Sequence, residues 1–312
     1  MRVLKAEQST DPFSHGRIYS CKLTWLQLAR PITLSGTISP ILAGTGLAAL
    51  DGRLRYDLLF VLLVAAILVQ TSANMFNDYF DFRNGQDKEK WQLEEAKASS
   101  RLPVHHQVPY IASSLIGVAM ILGLWISSQA GWWIAVVGSI GIAAGIAYSA
   151  GRHSLAALGL GEVTAGLFLG MTVTLLSYSV QTQAINWTIM MIALLYAMLI
   201  STMILTNNLR DIQKDKGYRR TLAMRLGRRQ AEGLLTVLLF SCYLLVLALV
   251  IVEAVPAGTL FVLLAIPIAI RLRWSFRESS TEAEEKMAMK WAGRHHWVFG
   301  LLFAAGILTG LL

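Results

Sequence analysis

The segment "NMFNDYFDFRNGQDK" (74–88) places Asn74, Asn77, Asp78, Asp81 and Asp87 where an apolar run gives way to charge. Residues three, four and seven apart share a helix face, so Gln70, Asn74, Asn77, Asp78 and Asp81 form one polar stripe. A second stripe lies in "TNNLRDIQKDK", where Asn207, Asp211 and Asp215 stand at four-residue steps and Asn208 precedes Asp211 by three. Carboxylate and amide oxygens suit a hard divalent cation, and Mg²⁺ typically takes one or two carboxylates together with waters and substrate phosphate oxygens. Two such clusters facing each other could hold metal ions with a diphosphate between them. Arg210, Lys214, Arg219 and Arg220 add cations for the phosphate oxygens that metal leaves unneutralised. One acidic stripe at a span end reads equally well as a solvated helix terminus. Two of similar spacing in an apolar chain point to a site, because polar groups at membrane depth mark function.

The elements that carry these stripes follow from composition. The 312 residues are 55% hydrophobic and 15% charged, with a mean hydropathy of +0.53, values of an all-α, multi-span membrane helical bundle. Windows of about twenty residues, enough to cross roughly 30 Å of hydrocarbon, fall near 32–50, 57–80, 109–128, 131–150, 155–180, 185–206, 231–253, 256–272 and 296–312. Nine transmembrane helices around a central cavity are therefore expected, in one domain over 1–312. Residues 1–30 lack the short apolar core of a secretory signal and read as a cytoplasmic N-terminal segment. Of the 27 Lys and Arg, all but Arg53 and Arg55 then fall on the side of the three long loops, 81–108, 207–230 and 271–295. That asymmetry orients the chain with these loops and both stripes in the cytoplasm. It also accounts for the net charge of +8 without a nucleic-acid partner.

The segments "NDYFDFRNGQD" and "NNLRDIQKD", with "TLAMRLGRR" after the second, resemble the two aspartate-rich motifs of the UbiA superfamily of intramembrane prenyltransferases. "NNLRD", "TLAMRLG" and "GLGE" (159–162) are most similar to its 1,4-dihydroxy-2-naphthoate polyprenyltransferase branch, of menaquinone biosynthesis. The resemblance implies transfer of a prenyl group from an isoprenyl diphosphate to a small aromatic acceptor, dependent on Mg²⁺, for which Mn²⁺ can substitute. It implies a cation bridging the diphosphate to Asn77, Asp78, Asp81, Asp211 and Asp215. By the same resemblance Tyr148, Ser149 and Arg152 line the diphosphate or acceptor pocket. Arg30-Pro31 matches a family habit, yet reads equally well as a cytoplasmic anchor before a helix start. The stretch after Asp87, "KEKWQLEEAKASSRLPVHHQ", departs from the family's Gly-rich pattern.

Glu162 is expected seven residues into span five, about 10 Å along the helix, where a charge serves the acceptor or the carbocation. His105-His106 and His295-His296 read as solvated loop histidines without a metal role, and 277–290 as a solvated helix with Glu282 paired to Lys286. Gly141, Gly145 and Gly151 suit close helix packing. Cys21 and Cys242 lack the spacing of a disulfide framework or zinc site. Two rival functions have the same polar stripes: a UbiA-type enzyme acting on 4-hydroxybenzoate, haem or a chlorin, and an ion-coupled transporter. Transporter sites lie near the membrane middle, whereas both stripes here sit at span ends on one side.

Overall fold

The computed structural model describes residues 18–93, 102–151 and 153–312. Each apolar window becomes a helix: α1 (Trp25–Leu50, interrupted at Arg30), α2 (Tyr56–Arg83), α3 (His105–Ala130), α4 (Trp133–Ser149), α5 (Gly161–Thr182), α6 (Trp187–Arg210), α7 (Arg228–Ile251), α8 (Ala257–Trp274) and α9 (Glu282–Leu308). Seven of them are long and apolar enough to cross a membrane. The other two fall short for different reasons: α4 has only 17 residues, and α9, which opens with Glu282, Glu284 and Glu285 behind a Thr281 capping box, carries Arg294, His295 and His296 into its apolar half. Most of the shifted bounds are small, but one matters. Span five begins at Gly161 and not at 155, because 155–160 are turns.

The bundle is not purely helical. Strand β1 (Tyr19–Cys21) pairs antiparallel with β2 (Trp91–Leu93), Cys21 opposite Trp91. This two-stranded strap lies on the aromatic end of α2, where Trp91, Phe82, Tyr79 and His105 pack ring against ring. The aromatic residues Tyr19 and Trp91 of these short runs suit a half-buried ribbon, and the strap closes one end of the bundle over the α2–α3 pair.

Helix α5 departs from α geometry at Gly166–Thr172, which is π-helical. Such an insertion rotates the residues beyond it relative to a regular helix and is common at functional sites. Here Phe168, Leu169 and Thr172 border an apolar cleft bounded by α2, α3, α4 and α5, with an empty volume, open mouth included, of about 990 Å³. Gly141 borders this cleft, and a β-carbon added there would meet nothing within 4 Å, so the close packing expected of it is absent. Close packing occurs instead at Gly170, where a β-carbon would stand 2.5 Å from the Ala197 Cα of α6.

The histidine expectation fails for three of four. His105 is buried beneath the strap, and His295 and His296 lie on the packed face of α9, with His295 bonded to the Tyr243 hydroxyl at 2.8 Å. They follow a charged run in sequence, but α9 has turned inward by then. The solvated reading of its first turns holds: Lys286 meets Glu282 at 2.7 Å with both side chains exposed.

Because Gly170 meets backbone, which cannot rotate away, Gly170→Val forces α5 off α6. The expected cost is about 1–3 kcal/mol, read as a lower thermal midpoint in detergent, whereas Gly141→Ala at the open cleft wall leaves the midpoint unchanged.

Candidate active site

Both polar stripes emerge at the same end of the bundle. On α2, each side chain is held by a different partner. Asn74 Nδ2 donates to the Ala29 carbonyl at 2.9 Å, tying α2 to the break in α1. At that break Arg30 takes a left-handed φ of 52°, and Pro31 restarts the helix at its first position. The bend sends the Arg30 guanidinium across to α2, where Nη2 reaches Asn77 Oδ1 at 2.9 Å and Asp78 Oδ1 at 2.8 Å. The amide of Asn77 donates in turn to Ser149 Oγ at 3.0 Å, fixing the end of α4.

Asp78 is 1% exposed. Its Oδ1 accepts from Arg30 and also from Lys90 Nζ at 2.7 Å, while Oδ2 is buried without a partner. Lys90 leads directly into β2, so the strap positions it. It also meets Asp87 at 2.6 Å. Asp87 is shared with Lys214 of the second motif at 2.5 Å, and Lys214 continues to Glu89 at 2.7 Å. Burial opposes ionisation of Asp87, but Lys90 and Lys214 outweigh it and hold the carboxyl down at about 2.

The second motif crosses over in the same way. α6 ends at Arg210, and turns follow to Tyr218, yet the Asp215 N–H still donates to the Asp211 carbonyl at 2.9 Å, which preserves the four-residue step. Arg219 closes the site by bonding Asp81 and donating to Gln86 Oε1 at 3.0 Å. Asp215 is buried beside it. Burial, with Asp211, Asp81 and Asp87 nearby and only Arg219 opposing, pushes the Asp215 carboxyl up to about 6. Behind this layer, Asn208 Nδ2 donates to Glu162 Oε1 at 2.8 Å, and Tyr148 is within electrostatic reach of Arg219, Glu162, Asp81 and Arg30.

The sequence-derived residues divide accordingly. Asn77, Asp78, Asp81, Asp215, Lys214, Tyr148, Ser149, Glu162 and Asn208 gather at one end. Arg210 folds onto its own helix end, bonding Asn207 and Asp211. Arg220 is not brought in: its main chain docks on the Ala157 carbonyl at 2.9 Å, and its exposed side chain has no hydrogen bond among the described residues. Adjacent residues on a turn point apart, and Arg219 takes the inward place. Arg152 lies outside the described residues. Glu162 stands in the first turn of α5 and not 10 Å deep, because the preceding residues are not helical. Lys90 was missed because nothing in "KEKWQL" marks a strand, and Arg30 because its reading as an anchor was equally good.

Among the described residues no three His, Cys, Asp or Glu side chains converge as a metal cage; Asp78, Asp81, Asp87 and Asp211 are instead paired with Lys or Arg. The donor set nevertheless fits a hard cation. It offers oxygen ligands only, a buried Asp78 Oδ2 with no donor, and an Asp215 carboxyl that lacks enough positive charge to ionise easily.

Comparison with known proteins agrees with this architecture. Residues 37–294 match the UbiA prenyltransferase family. The chain is 31% identical over 292 residues to a 1,4-dihydroxy-2-naphthoate octaprenyltransferase of Bacillus subtilis, covering 92% of each. It is 30% identical over 294 residues to the protein of that name in Mycobacterium tuberculosis, covering 92% of this chain and 98% of the relative. Its fold resembles that of a UbiA homolog from Archaeoglobus fulgidus bound to DMAPP and Mg²⁺, with a TM-score of 0.64, 13% identity and coverage of 91% and 99%.

The folded protein keeps the Asp215 proton up to about pH 6, against an ordinary value of 3.8. Between those values the folded state binds more protons than the unfolded chain, so stability falls as pH rises through the window and the loss is complete above it. Asp215→Asn removes the penalty. Without divalent cation, the variant should be more stable than wild type at pH 7.5, by at most about 3 kcal/mol, and the two should converge below pH 4 in thermal melts.

Proposed function

The chain belongs to the UbiA prenyltransferase family, and from that premise we propose that it transfers a polyprenyl group from an isoprenyl diphosphate to 1,4-dihydroxy-2-naphthoate, giving with loss of carbon dioxide the quinol form of demethylmenaquinone. The observation that carries this reading is the meeting of two Asn/Asp stripes, bridged by Arg219 and Lys214, at one end of a bundle whose interior is an apolar cleft. It is the arrangement a substrate with a charged head and a long hydrocarbon tail requires. The likeness to naphthoate octaprenyltransferases supports the acceptor. The whole chain acts as one unit with nine crossings in the cell membrane, the site facing the cytoplasm, in keeping with the excess of Lys and Arg at that end.

Asn77, Asp78 and Asp81 from α2, with Asp211 and Asp215 beyond α6, would hold Mg²⁺, or Mn²⁺ in its place. When bound, the cation neutralises charge that builds on the departing diphosphate. The side chains here are already arranged for the same task. Arg30, Lys90, Lys214 and Arg219 are tethered to the motif carboxylates, so a small turn of each delivers a charge-assisted hydrogen bond to a phosphate oxygen. Against the opposing effect of burial, the pull of the Asp81 and Asp215 carboxylates keeps the Arg219 guanidinium firmly charged. The cleft receives the isoprenoid tail, and its wall between Leu62 and Leu176 is almost wholly apolar. The strap and the Arg219–Asp81 bridge keep water from the allylic carbon, which water would otherwise trap as an alcohol. The electron-rich ring then attacks, and loss of the displaced substituent restores aromaticity.

Purified protein in lipid, given radiolabelled prenyl diphosphate and a panel of aromatic acids, should yield a prenylated naphthoate product by mass. Chelator should abolish the reaction, and Asp81→Asn should slow it by roughly a hundredfold or more, about 3 kcal/mol. Full turnover in chelator, or a product from a different ring, would overturn the metal-bridged mechanism or the acceptor respectively.

A further inference from the structure

Glu162 is a buried carboxylate for which the steps above leave no task. It is the second residue of α5 and 4% exposed. Ser201 Oγ donates to its carbonyl at 3.1 Å, which fixes the backbone, and Asn208 Nδ2 holds Oε1 at 2.8 Å. Oε2 is buried and has no hydrogen-bond partner. Asp78, Asp81, Asp87 and Asp211 each have a Lys or Arg, but no cation pairs with Glu162 among the described residues.

The surroundings say what Oε2 can serve. From α6 the carboxyl is faced by Asn208, which presents its amide nitrogen and so acts as an orienting donor, not as a second cation ligand. From α4 comes Tyr148, whose hydroxyl would be 3.3 Å from a β-carbon on Gly161. Arg225 of the short helix Leu222–Leu226 spends its guanidinium on the Leu158 carbonyl at 2.8 Å, on the turn before α5. The carboxyl thus sits behind the diphosphate-facing stripe, one residue from Asn207 through Asn208, with one oxygen fixed and the other offered to a donor that the protein does not supply. An aromatic hydroxyl is such a donor, and it is acidic enough for its proton to move.

Resting on the aromatic-acceptor reading above, we propose that Glu162 is the general base that takes the hydroxyl proton of the acceptor, with Asn208 as its positioning residue. The acceptor O–H bond breaks, the proton passes to Glu162 Oε2, and the electron pair enters the ring. The ring carbon forms the new C–C bond to the allylic carbon as the C–O bond to diphosphate breaks, and diphosphate leaves with that pair. Loss of carbon dioxide from the ring returns its bonding pair to the ring system, and the resulting phenolate recovers the proton from Glu162. Charge on the ring oxygen raises the ring's nucleophilicity, which a base at this position exploits.

The test uses the full-length protein with Mg²⁺ and a prenyl diphosphate, and two probes: 1,4-dihydroxy-2-naphthoate and its dimethyl ether, which has no hydroxyl proton to give. Glu162→Gln, an isosteric change, should lower turnover of the dihydroxy compound at least about a hundredfold and remove the acidic limb of its kcat/KM profile against pH. Binding of the dihydroxy compound should weaken, while binding of the ether and of inorganic diphosphate with Mn²⁺ stays at the wild-type level. Asn208→Ala should shift the acidic limb along the pH axis without abolishing it. An intact acidic limb in Glu162→Gln, or equal weakening for both probes, makes Glu162 structural and overturns the proposal. Wild-type protein that binds neither probe would instead remove the acceptor reading, and this assignment with it.

Discussion

Asp78 is a carboxylate at 1% exposure in a chain built to sit in hydrocarbon, and an isolated charge there carries a large desolvation cost. The end of the bundle is organised around meeting that cost. Arg30 reaches it only because α1 breaks in a left-handed turn, and Lys90 only because β2 pairs with β1. Asn77 fixes α4 through Ser149, and Asp81 draws in Arg219 from beyond α6. Each pairing therefore ties a separate element of the fold to the polar end of α2. Because Asp81 and Asp87 of the first motif bond Arg219 and Lys214 of the second, neither motif can be moved without disturbing the other.

The same constraint explains the division between head and tail. Charge at the site is confined to the helix ends and the turns beyond them, where Asp78, Asp81, Asp87 and Asp211 each have a cation and Glu162 an orienting amide. The cleft between α2 and α5 is lined by small and aliphatic side chains, widened by the π-helical segment Gly166–Thr172 and by glycines with no neighbour. A diphosphate head and an isoprenoid tail need these two environments in contact. The backbone at Gly170 pressed against Ala197 holds α5 to α6, which keeps Glu162 and Asn208 in register behind the motifs.

Spans and stripes were legible in the sequence because both rest on periodicity: runs of apolar residues for the helices, steps of three and four for Asn77, Asp81, Asp211 and Asp215. What failed was anything set by tertiary contact. The start of α5 depends on turns at 155–160 that an apolar window does not register, so Glu162 was placed too deep. The short strap has no repeat long enough to read, which hid Lys90. Arg219 and Arg220 are adjacent and alike in type, and only the docking of the Arg220 main chain on Ala157 decides which side chain turns inward. His295 and His296 follow a charged run but fall on the packed face of α9.

The central claim is that the two motifs hold one diphosphate together. It is tested most directly by the affinity of Mn²⁺ with inorganic diphosphate for wild type, Asp81→Asn, Asp211→Asn and the double variant, at matched folded protein. A shared site predicts strong coupling, the double variant losing at least about 1 kcal/mol less than the sum of the single losses. Losses that add within about 0.5 kcal/mol would mean two independent sites and contradict the account.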